Sequence, residues 1–212
     1  GCVTRINNAV GNQVTGAIVL QNQNNSTSWN LSGSLVKSMT NGFTARGSYS
    51  YGESKNLIDA STIAFTSWSG NQIVNDPNNP TLAFSTASPG HRVLVNAGYT
   101  KSYIGKLATT VSAIWEARLP GNNLAYVFSG DANGDTGTSN DLIYIPRNMS
   151  EMNFATFTTA TGVTFTPDQQ ANAWEAYINQ DPYLSKHRGE YMVRGGLFLP
   201  LVKRMDLSLS QD

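Results

Sequence analysis

Hydrophobic and polar positions alternate with a period of two along much of the chain, the spacing of half-exposed β-strands. From Trp29, the residues Trp29, Leu31, Gly33 and Leu35 fall on one face and Asn30, Ser32 and Ser34 on the other. Asn41-Gly42 follows, a dipeptide that favours a tight hairpin turn. The alternation resumes with Phe43, Ala45, Gly47, Tyr49 and Tyr51 set against Thr44, Arg46, Ser48 and Ser50. A second hairpin repeats the plan. Val93, Val95, Ala97 and Tyr99 alternate with Asn96, Gly98 and Thr100, with Leu94 breaking the polar set. After a connection around Ser102–Gly105, Leu107, Thr109, Val111, Ala113 and Trp115 alternate with Ala108, Thr110, Ser112, Ile114 and Glu116. Met205, Leu207 and Leu209 against Asp206, Ser208 and Ser210 begin a fifth strand. The pattern predicts an all-β, antiparallel protein with strands near 29–38, 43–52, 91–101, 106–117 and 203–212.

The connections are unequal. Those at 39–42 and 102–105 are short, whereas 52–90 and 119–202 are far longer than the roughly 12–15 residues usual for loops in compact domains. Short turns at one end and long loops at the other are the signature of a transmembrane β-barrel, with the turns periplasmic and the loops extracellular. Trp29, Tyr49, Tyr51 and Trp115 lie toward the loop ends of their strands, and Phe43 and Tyr103 toward the turns, as interfacial aromatic girdles would. A soluble β-sandwich would alternate in the same way, so the pattern alone leaves both architectures open. Within the second loop, Thr166-Pro167-Asp168-Gln169 reads as a capping box with Pro at the first helical position. With the stripe Ala171, Trp174, Tyr177 and Ile178 it predicts a short helix near 167–179.

Composition narrows the partners. Only 13% of the 212 residues are charged, 14 of each sign, against roughly 25% in ordinary soluble domains. Asn, Ser and Thr supply 63 residues, so hydroxyls and amides carry the polarity. The balanced charge and the lack of a basic stripe argue against nucleic acid. No apolar run reaches the ~20 residues of a transmembrane helix. A lone Cys2 excludes an internal disulfide and a cysteine zinc cluster. The sequence starts at Gly1 rather than Met, which is the expectation for a processed or excised chain.

Chemistry-bearing motifs are few. Asp131-Ala132-Asn133-Gly134-Asp135 places oxygens at i, i+2 and i+4, the first half of a Ca²⁺-binding loop. Thr136 stands where such a loop needs Gly, and Leu142 where it needs a bidentate Glu; Asp141 is the substitute one position earlier. Asp131, Asn133, Asp135 and Asp141 are therefore candidate Ca²⁺ ligands, with a plain surface turn as the alternative. No nucleophile elbow, zinc-protease motif, P-loop or dinucleotide fingerprint occurs, and nothing argues for an enzyme or an organic cofactor. His91 and His187 each sit beside Arg and read as surface hydrogen-bonding groups. Trp68 in the first loop, and Tyr126, Phe128, Tyr144 and Trp174 in the second, are candidates to stack on a ligand or to pack their loops.

Several segments in order resemble one family. They are Thr40-Asn41-Gly42-Phe43 leading to Gly47-Ser48-Tyr49-Ser50-Tyr51, Ser88-Pro89-Gly90-His91-Arg92-Val93, and Gly130-Asp131-Ala132-Asn133-Gly134-Asp135. Asn140-Asp141-Leu142-Ile143-Tyr144-Ile145-Pro146 and the closing Met205–Asp212 complete the set. The combination resembles TonB-dependent outer-membrane transporters, closest to the Oar-like receptors that carry a carboxypeptidase-regulatory-like N-terminal domain. The resemblance implies a bacterial outer-membrane barrel of about 22 strands around a plug, taking up a nutrient with energy from an inner-membrane TonB complex. It makes the chain a segment of the later barrel, with the plug, the TonB box and the remaining strands elsewhere. Its partners would be those parts, outer-membrane lipid, a nutrient of unknown identity and a surface lipoprotein. The competing expectation is a secreted, calcium-dependent β-rich binding or adhesion module.

Overall fold

The computed structural model describes residues 17–60, 62–103, 105, 107–122 and 124–211. The chain divides into two units, one built from Leu20–Asp59, Thr81–Leu124 and Gly195–Asp212 and the other from Ala60–Pro80 and Ala125–Arg194.

The first unit is an antiparallel sheet. Its strands are β1 (Thr27–Ser38), β2 (Phe43–Asn56), β3 (Ala83–Phe84), β4 (Gly90–Ser102), β5 (Ala108–Arg118) and the last in sequence, Val202–Gln211. Five of them lie in the order β1-β2-β4-β5 and then Val202–Gln211, with β3 added to the end of β2. All the pairings are antiparallel. The expected strands are all present, each within a few residues of its predicted limits. Strand β2 runs on past the predicted 52 to Asn56 because Lys55 and Asn56 find partners in Phe84 and Ala83.

Register explains the alternation. Leu35 faces Gly47, Gly47 faces Val95, Val95 faces Trp115 and Trp115 faces Met205, all on one side of the sheet. The neighbouring rows on that side are Ala45–Ala97–Ala113–Leu207 and Phe43–Tyr99–Val111–Leu209. An apolar band therefore crosses the five strands. It stays uncovered: Leu31 is 73% exposed, Leu207 72% and Leu209 73%, and even on inner strands Val95 and Val111 are exposed. The opposite face carries Ser34, Ser48, Glu116 and Arg204 in one row, with Val36, Leu94, Ile114 and Val202 among its apolar exceptions. There Arg92 pairs with Glu116 at 2.8 Å, and Arg204 with Asp206 at 2.9 Å. Among the described residues β1 and Val202–Gln211 are paired on one side only.

The two short turns close the same end of the sheet. In the first, Met39 donates to the Phe43 carbonyl at 2.8 Å and Gly42 takes φ +89°. That is a three-residue hairpin ending in a left-handed residue. A side chain at Gly42 would also collide with the Thr100 carbonyl, whose own residue donates to the Gly42 oxygen at 3.0 Å.

The second unit contains α1 (Ala64–Ser69), a β-ribbon of β6 (Phe157–Thr158) and β7 (Thr164–Phe165), and α2 (Pro167–Gln180). With these labels the last strand of the sheet is β8 (Val202–Gln211). The helix α2 starts as expected. Thr166 accepts from the Gln169 N–H while the Gln169 side chain accepts from the Thr166 N–H, and Pro167 opens the helix. Ile145, Ile178 and Leu184 form a fully buried core, packed by Tyr126, Ile143, Met152, Trp174 and Tyr183. The helix α1 was not expected. It is under two turns long, and Ile63 before it supplies no side-chain cap.

Candidate functional site

Two features of the second unit bear on function: an aromatic groove and the acidic loop on its flank. The groove has a volume of about 760 Å³ and is lined by Phe128, Tyr144, Phe154, Trp174, Tyr177 and Tyr191, together with Ala132, Leu142, Ile143, Gln170 and Ala173. The sequence brings these together from three directions. Helix α2 contributes Trp174 and Tyr177, whose rings stack at 5.5 Å with 9° between their planes. An extended segment contributes Tyr144, which pairs with Tyr191 through an isolated β-bridge with the rings 5.2 Å apart. Phe128 precedes the acidic loop and is held by an N–H···O bond of 2.7 Å to Asp141. Such a wall of aromatic faces with sparse polar groups suits a ligand that offers flat or apolar surfaces.

Of the five aromatic residues singled out in the sequence, Phe128, Tyr144 and Trp174 line this groove, and the structure adds Phe154, Tyr177 and Tyr191. Tyr126 stands behind it, packed on the unit's core. Its hydroxyl donates to Asp181 Oδ2 at 2.6 Å and meets the Tyr177 hydroxyl at 2.8 Å. Burial first, and then these bonds, push the Tyr126 hydroxyl well above its usual pKa. Burial also acts to raise the Asp181 carboxyl, but the bonds from Tyr126, Leu184 N–H and Tyr183 N–H outweigh it and leave it below the usual aspartate value. Trp68 belongs to α1 and does not line the groove; its indole nitrogen is buried without a hydrogen-bond acceptor.

At the rim, Tyr144 donates to Glu151 Oε2 at 3.0 Å, the oxygen that also accepts from the Arg147 N–H at 2.9 Å. That backbone bond is the main reason the Glu151 carboxyl lies below its usual range. Desolvation and then the Glu151 bond raise the Tyr144 hydroxyl. Arg188 clamps α2 with two bonds to Glu175 (2.7 and 3.1 Å) and others to Asn179 and the Pro146 carbonyl. Both histidines are hydrogen-bonded: His91 meets the Tyr49 hydroxyl of the neighbouring strand at 2.7 Å, and His187 meets Glu190 at 2.9 Å.

The acidic loop is folded on its own side chains. Asp131 Oδ1 accepts from the N–H groups of Gly134 and Asp135, and Oδ2 from that of Thr136. Asn133 accepts from the Asp135 N–H and Asp135 from the Gly137 N–H. Two positions turn left-handed: Gly134 at φ +80° and Thr136 at φ +75°. Thr136 thus adopts the conformation for which the sequence pattern wanted glycine, and it is the one non-glycine residue with positive φ among the described residues. Asp141 docks on the loop by accepting from the Ala132 N–H at 2.7 Å, and Asn140 donates to Asp135 Oδ2 at 2.8 Å. Among the described residues, no three His, Cys, Asp or Glu side chains are gathered closely enough to form a metal centre by themselves.

No helix among the described residues is long and apolar enough to cross a membrane, which says nothing of crossing by strands. No family model matches this chain, and no curated protein or solved structure is detectably similar to it.

Proposed function

We propose that the chain forms part of the wall and two surface loops of a TonB-dependent outer-membrane transporter that takes up a nutrient. One observation carries the reading: an apolar band spans all five long strands in register and remains exposed, while the reverse face is polar and ion-paired. In water such a band would be an aggregation hazard; against hydrocarbon it is the outer surface of a barrel wall. The free edges of β1 and β8 fit the same view, since a sheet in lipid must have every backbone group paired and closes only with further strands. The aromatic groove would lie in the loop region, where such a transporter meets its substrate.

The test is site-directed labelling of the intact protein in native membranes, in a Cys2→Ser background. Fluorophores on cysteines replacing Leu31, Val95 and Leu207 should be quenched by brominated lipid, and those replacing Ser32, Asn96 and Ser208 should not. Rapid reaction of the first three with a water-soluble, membrane-impermeant maleimide would favour the secreted binding module instead. A plug domain encoded by the same gene is the second expectation of the transporter reading.

A further inference from the structure

Whatever medium the sheet faces, the acidic loop presents a separate problem of charge. Asp131, Asp135 and Asp141 bring three carboxylates into eleven residues, and among the described residues none of them makes an ion pair. Asp135 is 6% exposed and Asp141 only 1%. Isolated buried carboxylates are strongly disfavoured unless a cation or hydrogen-bond donors compensate them.

Donors compensate Asp131 and Asp135 but do not complete Asp141. Its Oδ2 is fixed to the loop at Ala132, while Oδ1 is fully buried with no hydrogen-bond partner. The preceding residue repeats the anomaly. Asn140 is 2% exposed, its amide nitrogen is tied to Asp135, and its Oδ1 is buried without a donor. Two adjacent side chains, each anchored to the same loop, thus bury oxygens that lack a positive partner. Gly137 leaves room for the first of them: a Cβ there would collide with the Asn140 amide.

We propose that the loop 131–141 is a Ca²⁺ site, with Asp131, Asn133, Asp135 and Asp141 as side-chain ligands and Asn140 Oδ1 as a further oxygen. All the donors are hard oxygens, which suits Ca²⁺ with its six to eight ligands and tolerance of irregular geometry. The three carboxylates are not gathered closely enough to form the centre by themselves, so the amide oxygens of Asn133 and Asn140 belong to the set. The loop turns left-handed at Gly134 and Thr136, and binding completes the site by drawing the oxygens of Asp131, Asn133 and Asp135 onto Asp141. Ala132 and Leu142 line the aromatic groove, so the ion would fix that wall of the groove as well.

The experiment is calorimetric titration of CaCl₂ into the intact purified protein after chelator treatment. One Ca²⁺ per chain is expected to bind, with affinity at least tenfold weaker in Asp141→Asn and in Asp131→Asn. It should be within twofold of the parent in Asp168→Asn, a carboxylate in the first turn of α2. Asp131 is exposed, so its variant carries the test should Asp141→Asn fail to fold. Absence of saturable Ca²⁺ heat in the parent overturns the site. So does binding that survives both loop substitutions unchanged.

Discussion

The Tyr126 hydroxyl donates to Asp181 Oδ2 at 2.6 Å, joining the segment that enters the acidic loop to the residue that caps the C-terminus of α2. The other Asp181 oxygen accepts from the Tyr183 and Leu184 N–H groups, so one carboxylate organises the end of the helix and the buried Leu184 behind it. Hydrogen bonds to a charged acceptor contribute more than neutral ones, and Tyr126→Phe should cost about 1–2 kcal/mol. Thermal unfolding followed through Trp174, which stacks on Tyr177, is the measurement.

The same pair sets two pH limits. Asp181 titrates below its usual value, so its stabilisation is complete above the unfolded aspartate pKa, roughly 4, and is lost as pH falls through the lower folded value. Tyr126 is raised, so its contribution is complete below the unfolded tyrosine pKa, about 10, and is lost only as pH climbs through the higher folded value. Stability of the loop unit should therefore fall at both extremes. Asp181→Asn should flatten the acid limb; an unchanged acid limb would place the titrating group elsewhere.

Leu207 and Ser208 are adjacent on β8 but face opposite sides of the sheet. If the apolar side faces lipid, Leu207→Arg should destabilise the inserted protein by about 2–4 kcal/mol, whereas Ser208→Arg should change it little. Urea unfolding from lipid vesicles distinguishes them. Equal effects would remove the asymmetry on which the membrane reading rests.

Thr136 holds φ +75°, a conformation β-branched residues resist. Thr136→Gly should stabilise the loop unit by about 1 kcal/mol, since glycine enters this region at little cost although it enlarges the unfolded ensemble. Chemical denaturation checks the sign. At Gly42 the opposite change applies. There Ala would meet both a φ of +89° and the Thr100 carbonyl, and Gly42→Ala should cost about 1–3 kcal/mol.

What could be read in the sequence follows from how local each signal is. The long strands were legible because apolar and polar side chains alternate between the two faces, and the pairing register keeps each set on its own side of the sheet. The helix α2 was legible because Thr166 and Gln169 cap it within four residues. By contrast, β3 is two residues that become a strand only by pairing with Lys55 and Asn56. The groove was half legible. Tyr144 and Trp174 stand out as aromatics in a loop, but Phe154 and Tyr191 acquire their place only through the folding of separate segments around one core. Nothing in the spacing of Asp141 announced that one of its oxygens would be buried without a donor.

The unpaired margins of β1 and β8 carry a consequence for the life of the chain before it reaches its destination. Each margin is a template on which another copy can lay a strand, and the greasy face beside it rewards the mistake. If the sheet is part of a barrel wall, a cell that makes this polypeptide has to escort it, holding both rims apart from their twins until the neighbouring strands arrive. Expressed by itself in the cytosol, the same 212-residue chain should collect in inclusion bodies.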